Sequence, residues 1–144
     1  LTLAKQVKKV SQSTKILVVT QMPEASYLAR AKAIGIDSFW YKDVVGESLL
    51  NVIRMTMKGV NVYPDSPPIV KIGSSDSSCF TERELDVLRL MTTGASDAEI
   101  AKQLFISYDT VRTHIKHMTE KTGLSRVRLA IEARATGIAI AEIE

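Results

Sequence analysis

Twice within a short stretch the chain sets a Ser or Thr three places ahead of a Glu, at Thr81–Glu84 and again at Ser96–Glu99. Each is the pattern of a reciprocal N-terminal cap, in which the hydroxyl and the carboxylate satisfy backbone amides that the first helical turn leaves unpaired. The two patterns therefore fix where two helices begin. Leu85, Leu88 and Met91 follow the first at helical spacing and Gly94 stops it, while Ile100, Ala101 and Leu104 form the apolar face of the second. Ser107 starts a third helix, with Val111, Ile115 and Met118 on its apolar side and Gly123 at its end. Ser125 starts a fourth, carrying Leu129, Ala130 and Ala133, with Gly137 beyond. Four capped helices joined by short connections predict a compact bundle of roughly sixty residues, close to the lower limit for independent folding.

The first half has a different rhythm. Leu3, Val7 and Val10 are spaced for one face of a short helix, and Lys15-Ile16-Leu17-Val18-Val19-Thr20 is a β-branched apolar run suited to a strand covered on both faces. Pro23 fits a first helical position, and Leu28, Ala31 and Ile34 carry a helix to Gly35. Phe39-Trp40-Tyr41 reads as a second strand, and Leu49, Leu50, Ile53 and Met57 as one face of a third helix ending at Gly59. Strands alternating with helices imply parallel β-α units. Between the halves, Pro64, Pro67, Pro68 and the run Gly73-Ser74-Ser75-Asp76-Ser77-Ser78 have neither periodicity. The expected organisation is an α/β segment over 1–63, a linker over 64–79 and an all-α domain over 80–144.

Composition narrows the function classes. No apolar run approaches the length of a membrane span, Lys5, Lys8 and Lys9 are not followed by a signal-peptide core, and a single cysteine rules out an internal disulfide framework. A cytoplasmic protein is the simplest reading, and a chain that starts at Leu1 inside a helical pattern reads as a fragment. The net charge of +3 hints at nucleic acid, yet residues 1–78 hold ten Lys/Arg and six Asp/Glu, whereas residues 79–144 hold nine and ten. The helical half is not basic in bulk, so a nucleic-acid reading must rest on where its charges sit.

Three of the nine basic residues, Arg112, Lys116 and Lys121, fall in the third helix. Two helices separated by Phe105-Ile106-Ser107 have the layout of a helix-turn-helix. With Val111, Ile115 and Met118 inward, Asp109, Arg112, Thr113, Lys116 and Glu120 fall on the opposite face. Arg can donate to guanine in bidentate fashion, Thr can offer a methyl to thymine, Lys can pair with phosphate, and the Thr110 hydroxyl can assist at the helix start. The bland alternative is a solvated amphipathic face. His114 and His117 lack a third metal ligand, and Cys79, placed in the linker, has no partner for redox chemistry. No nucleophile–base pairing or phosphate-cradling glycine loop is present, so no enzyme, metal or cofactor is expected.

Residues Phe80 to Gly137 resemble the LuxR/NarL-type helix-turn-helix, through Thr81-Glu82-Arg83-Glu84, Val87-Leu88, Gly94-Ala95-Ser96, Glu99-Ile100-Ala101, Ile106-Ser107, Thr110 to Lys116, Lys121 and Gly123-Leu124. The resemblance implies that Arg112, Thr113 and Lys116 face the DNA groove and that Thr110 and Lys121 meet phosphates. Phe80, Glu82, Asp97-Ala98 and Val127 depart from the family pattern. The first sixty residues are similar to the second half of a flavodoxin-like receiver domain, which implies switch positions at Thr20, Phe39 and Lys42. The acidic pair and phosphoacceptor Asp of a receiver have no counterpart in this chain, Asp37 and Asp43 being in the wrong places. An unpaired edge on the first strand is expected to be covered by a second copy of the chain or else to leave the segment loosely folded. The implied function is a transcription regulator of the two-component response-regulator kind. Its implied partners are double-stranded promoter DNA and a second copy through the helix around Arg126 to Ala135, where Val127, Leu129, Ala130 and Ile131 supply apolar surface. RNA polymerase, and a histidine kinase for an intact protein, complete that set. The alternative is a protein-interaction module that does not read DNA, favoured by the acidic excess after residue 79.

Overall fold

The computed structural model describes residues 1–42, 46 and 48–139, and the chain divides into two compact units at Pro68/Ile69. Asp43 lies outside the described residues.

The first unit contains α1 (Thr2–Val10), β1 (Leu17–Thr20), α2 (Ala25–Ala33), β2 (Ser38–Tyr41) and α3 (Leu49–Met57). β1 and β2 pair in parallel, with Leu17 opposite Ser38 and Thr20 opposite Tyr41. Leu28, Ala31, Ile36, Phe39 and Tyr41 form the core, with Leu1, Ala4, Ile16 and Val18 packed on it. Ser38, fully buried at the start of β2, accepts from the Thr56 hydroxyl (2.7 Å) and the Val62 amide (3.0 Å), tying α3 and the segment after it to the strand. Asp37 does the same for the other side. Its carboxylate takes hydrogen bonds from Lys8 Nζ (2.6 Å), Lys15 Nζ (3.0 Å) and the Ile16 amide (2.9 Å). Burial pushes this carboxyl up, but the three donors outweigh it and hold it down at about 2.

Several helical faces differ from expectation here. The Leu3–Val7–Val10 stripe of α1 does not face the core: Val10 is 90% exposed, and Leu1 and Ala4 do the packing. On α3 the buried residues are Val52 and Thr56, while Leu50, Ile53 and Met57 point outward. In each helix the sequence offers two candidate stripes, and contact with the strands selects one; Thr56 wins because its hydroxyl finds both Ser38 and the Val52 carbonyl. Pro23 precedes the helix instead of opening it, since the Glu24 carboxylate supplies the cap by accepting from the Ser26 amide. β1 is covered on one face only, with Val19 left partly exposed.

The second unit opens with a hairpin, β3 (Lys71–Ile72) and β4 (Ser75–Asp76), and continues through a single 3₁₀ turn (Ser77–Cys79) into α4 (Glu82–Thr92), α5 (Asp97–Leu104), α6 (Tyr108–Thr122) and α7 (Arg126–Thr136). The expected linker over 64–79 is thus corrected over 69–79. Ile72 is buried in the helical core, the Ser74 amide donates to the Thr122 carbonyl (2.8 Å), and the Gly73 amide donates to Glu132 (3.1 Å). Gly73 has φ +57°, and a Cβ there would lie 2.2 Å from the Thr122 oxygen, so only glycine fits. A stretch rich in Gly and Ser lacks periodicity whether it wanders or makes one tight turn, which is why composition misread it.

Both reciprocal caps form: Thr81 with Glu84, and Ser96 with Glu99. Ser107 and Ser125 cap α6 and α7, and Gly123 and Gly137 end them in left-handed conformation. The core unites Val87, Leu88, Met91, Ile100, Val111, Ile115, Met118, Leu129 and Ala133 with Ile72 and Phe80. α5 ends at Phe105, which is left-handed (φ 54°, ψ 44°) although not glycine, a conformation that costs roughly 1–2 kcal/mol.

Candidate nucleic-acid interface

The face presented by α6 follows from its two ends and its buried stripe. Ser107 Oγ accepts from the Thr110 amide (3.0 Å), fixing the first turn, and Val111, Ile115, Met118 and Thr122 bury the inner side against α4, α5 and α7. Rotation by 3.6 residues per turn then leaves Arg112, Thr113 and Lys116 exposed. Arg112 has no partner among the described residues. Thr113 donates its hydroxyl to the Asp109 carbonyl (2.9 Å). Among the described residues Lys116 makes only a long pair with Glu120 (3.8 Å), both side chains well exposed, an arrangement worth about a few tenths of a kcal/mol. Its ammonium is available to a phosphate. Thr110, half-buried, shares a 2.8 Å hydroxyl contact with Ser107 at the same end.

Lys121 is the exception. Its ammonium lies 2.7 and 2.8 Å from the two oxygens of Glu84 and 3.0 Å from the Cys79 carbonyl. Glu84 is almost fully buried. Burial raises its pKa, but Lys121 and the Thr81 amide and hydroxyl together bring it below the ordinary glutamate range. Lys121 is expected at a phosphate; in the free chain its side chain neutralises an internal carboxylate and holds the end of α6 to the start of α4. Cys79 is half-buried at the close of the 3₁₀ turn and not in a free linker.

Two features escaped sequence reasoning. Arg126 donates to Asp97 (2.8 Å) and to the Ala95 carbonyl (3.1 Å), so the acid that departs from the family pattern is paired across to the start of α7. Only folding brings 97 and 126 together, and no local signal announced it. The second is Phe105, 94% exposed at the turn between α5 and α6. His114 and His117 form no metal-binding group with other ligand types among the described residues.

In the first unit Thr20 and Lys42 meet at the carboxyl ends of the two strands, the Lys42 amide donating to the Thr20 carbonyl (2.9 Å). Thr20 Oγ1 accepts from the Met22 amide (3.0 Å), and the Lys42 side chain is exposed. Phe39 is instead buried, edge-on to Tyr41 at 5.1 Å between ring centres. Tyr41 is pushed up to about 12, chiefly by burial and then by the charge of Glu24. Asp37 precedes β2, at its amino end, away from the Thr20–Lys42 end.

Against known proteins, residues 78–133 match the model of the bacterial regulatory proteins, luxR family. The chain is 35% identical over 107 residues to the transcriptional regulatory protein DesR of Bacillus subtilis, covering 74% of this chain and 53% of that protein. It is 30% identical over 132 residues to the Fimbriae Z protein of Salmonella typhimurium, covering 88% of this chain and 63% of the relative. A solved structure of two RcsB dimers bound to two parallel DNAs superposes with a TM-score of 0.50 at 25% identity, over 94% of this chain and 66% of that one. The chain therefore spans between about half and two thirds of the length of these relatives. Among the described residues, no helix is long and apolar enough to cross a membrane.

Proposed function

We propose that this chain, which belongs to the LuxR/NarL type of response regulators, controls transcription by placing α6 in the major groove of double-stranded promoter DNA. The observation that carries this reading is the division of α6: Val111, Ile115 and Met118 are buried while Arg112, Thr113 and Lys116 face solvent. Arg112 would read a guanine edge, Lys116 a phosphate, and Thr110 the backbone at the helix start. Lys121 is left out of this set because its charge is spent on Glu84. The charge after residue 79 is close to balanced, nine Lys/Arg against ten Asp/Glu, so it does not by itself oppose this reading.

The test is fluorescence anisotropy against a duplex selected from a random-sequence pool, repeated across salt concentrations. Arg112→Ala should weaken binding by about 1–3 kcal/mol, and Lys116→Ala should lower the salt slope by about one. Failure of the unmodified chain to bind any duplex at low salt would favour the protein-interaction reading.

Pairing of two copies through α7 fits the exposed Val127 (64%) and Ile131 (54%), one turn apart on the side away from buried Leu129 and Ala133. A twofold dimer would set two α6 helices over two half-sites. Sedimentation of Ile131→Glu should then show monomer where the unmodified chain shows dimer. In the first unit, Thr20 and Lys42 at the shared strand ends support an assignment as receiver-type switch positions, with Phe39 as the aromatic held inward. RNA polymerase and a histidine kinase belong to the same reading as partners of the whole regulator.

A further inference from the structure

Phe105 is placed against the interests of the fold. It ends α5 in the left-handed conformation that glycine or asparagine adopts most readily. Its ring is 94% exposed, so burial offsets none of that strain. The residues on either side behave normally: Leu104 and Ile106 both turn inward and pack against the core of the second unit. Nothing among the described residues accounts for an aromatic ring at this point.

We propose that Phe105 contacts DNA, its ring lying against the deoxyribose faces of the backbone beside the groove that Arg112 and Lys116 enter; this inference rests on the DNA-binding reading above. Three residues after it, Tyr108 opens α6 half-exposed, and Lys102 precedes it on the solvent side of α5. Phe105 and the half-exposed Tyr108, set beside polar residues and the Lys102 cation, suit a nucleic-acid backbone, whose sugars are apolar and whose phosphates seek the cations. A protein partner calls for a contiguous apolar patch, which the inward turn of Leu104 and Ile106 removes from this corner.

The experiment uses the full chain with Phe105→Asn and Phe105→Gly, both of which accept the left-handed backbone. Their melting temperatures should not fall below that of the unmodified chain. Affinity for the selected duplex should drop by about fivefold or more, the loss of one partly buried aromatic contact. The dependence of affinity on salt should stay unchanged, because no cation is removed. Unchanged affinity in both variants overturns the inference, and if promoter activation is lost while affinity holds, the ring meets a protein instead. Weakened binding with a reduced salt slope also overturns it, since that is the signature of displaced cations. If the unmodified chain binds no duplex, the inference falls together with the reading beneath it, an outcome distinct from a bound duplex indifferent to Phe105.

Discussion

At the scale of single residues, the carboxylates of Asp37 and Glu84, each buried and held by lysine, organise their respective units. Asp37 is held at about 2 by Lys8, Lys15 and the Ile16 amide, well below a free aspartate. A group whose pKa is lowered by folding stabilises the fold above its unfolded pKa, and that contribution disappears as pH falls through the folded value. Asp37 should therefore contribute on the order of 2 kcal/mol at neutral pH and lose it between about pH 4 and pH 2. Asp37→Asn should remove most of that acid sensitivity from the first unit, measured by unfolding at pH 7 and pH 3. Glu84 follows the same sign, its contribution present at neutral pH and lost on acidification below the ordinary glutamate range. Lys121→Ala leaves this buried carboxylate without its cation and should destabilise the second unit by about 2 kcal/mol, a value reduced for the partly exposed lysine. The same variant should leave the salt slope of DNA binding nearly unchanged. A drop equal to that of Lys116→Ala would show instead that Lys121 meets phosphate.

At the scale of elements, the β3–β4 hairpin shows how a short piece of irregular sequence becomes part of a core. Its pairing is only two residues long on each strand, too little to stand alone. It holds because Ile72 enters the helical core and because the Gly73 and Ser74 amides are accepted by Glu132 on α7 and by the Thr122 carbonyl at the end of α6. Gly73→Ala meets both the positive φ and the Thr122 oxygen, and should destabilise the second unit by about 2 kcal/mol or more while the first unit melts as before. Ser96→Ala removes one hydroxyl from a reciprocal cap on the exposed start of α5 and should cost about 1 kcal/mol in chemical denaturation.

At the scale of the whole molecule, the chain has two separate cores, which predicts two cooperative transitions. Trp40, the single tryptophan, lies in β2 and reports on the first unit, whereas most of the helix belongs to the second. Thermal transitions followed by Trp40 emission and by far-ultraviolet dichroism should not coincide, and Lys121→Ala should move only the second. Coincident curves would mean a single cooperative fold. The first unit also leaves Leu50, Ile53 and Met57 outward and β1 paired on one edge only. Such surface predicts concentration-dependent association in sedimentation, and a monomer with protected β1 amides would refute it.

The helical unit was largely legible because its signals are local. Thr81–Glu84, Ser96–Glu99, Ser107, Gly123, Ser125 and Gly137 act on the backbone within a few residues of themselves, and the apolar spacing of α6 decides which of its sides is hidden. What the tertiary structure alone decided are choices between residues of equal local merit. Val52 and Thr56 are buried in place of Leu50 and Ile53, Lys121 turns to Glu84 instead of outward, Asp97 finds Arg126, and Ile72 is drawn out of an apparent linker. Each depends on a partner far along the chain, and such a partner leaves no mark on the spacing of neighbours.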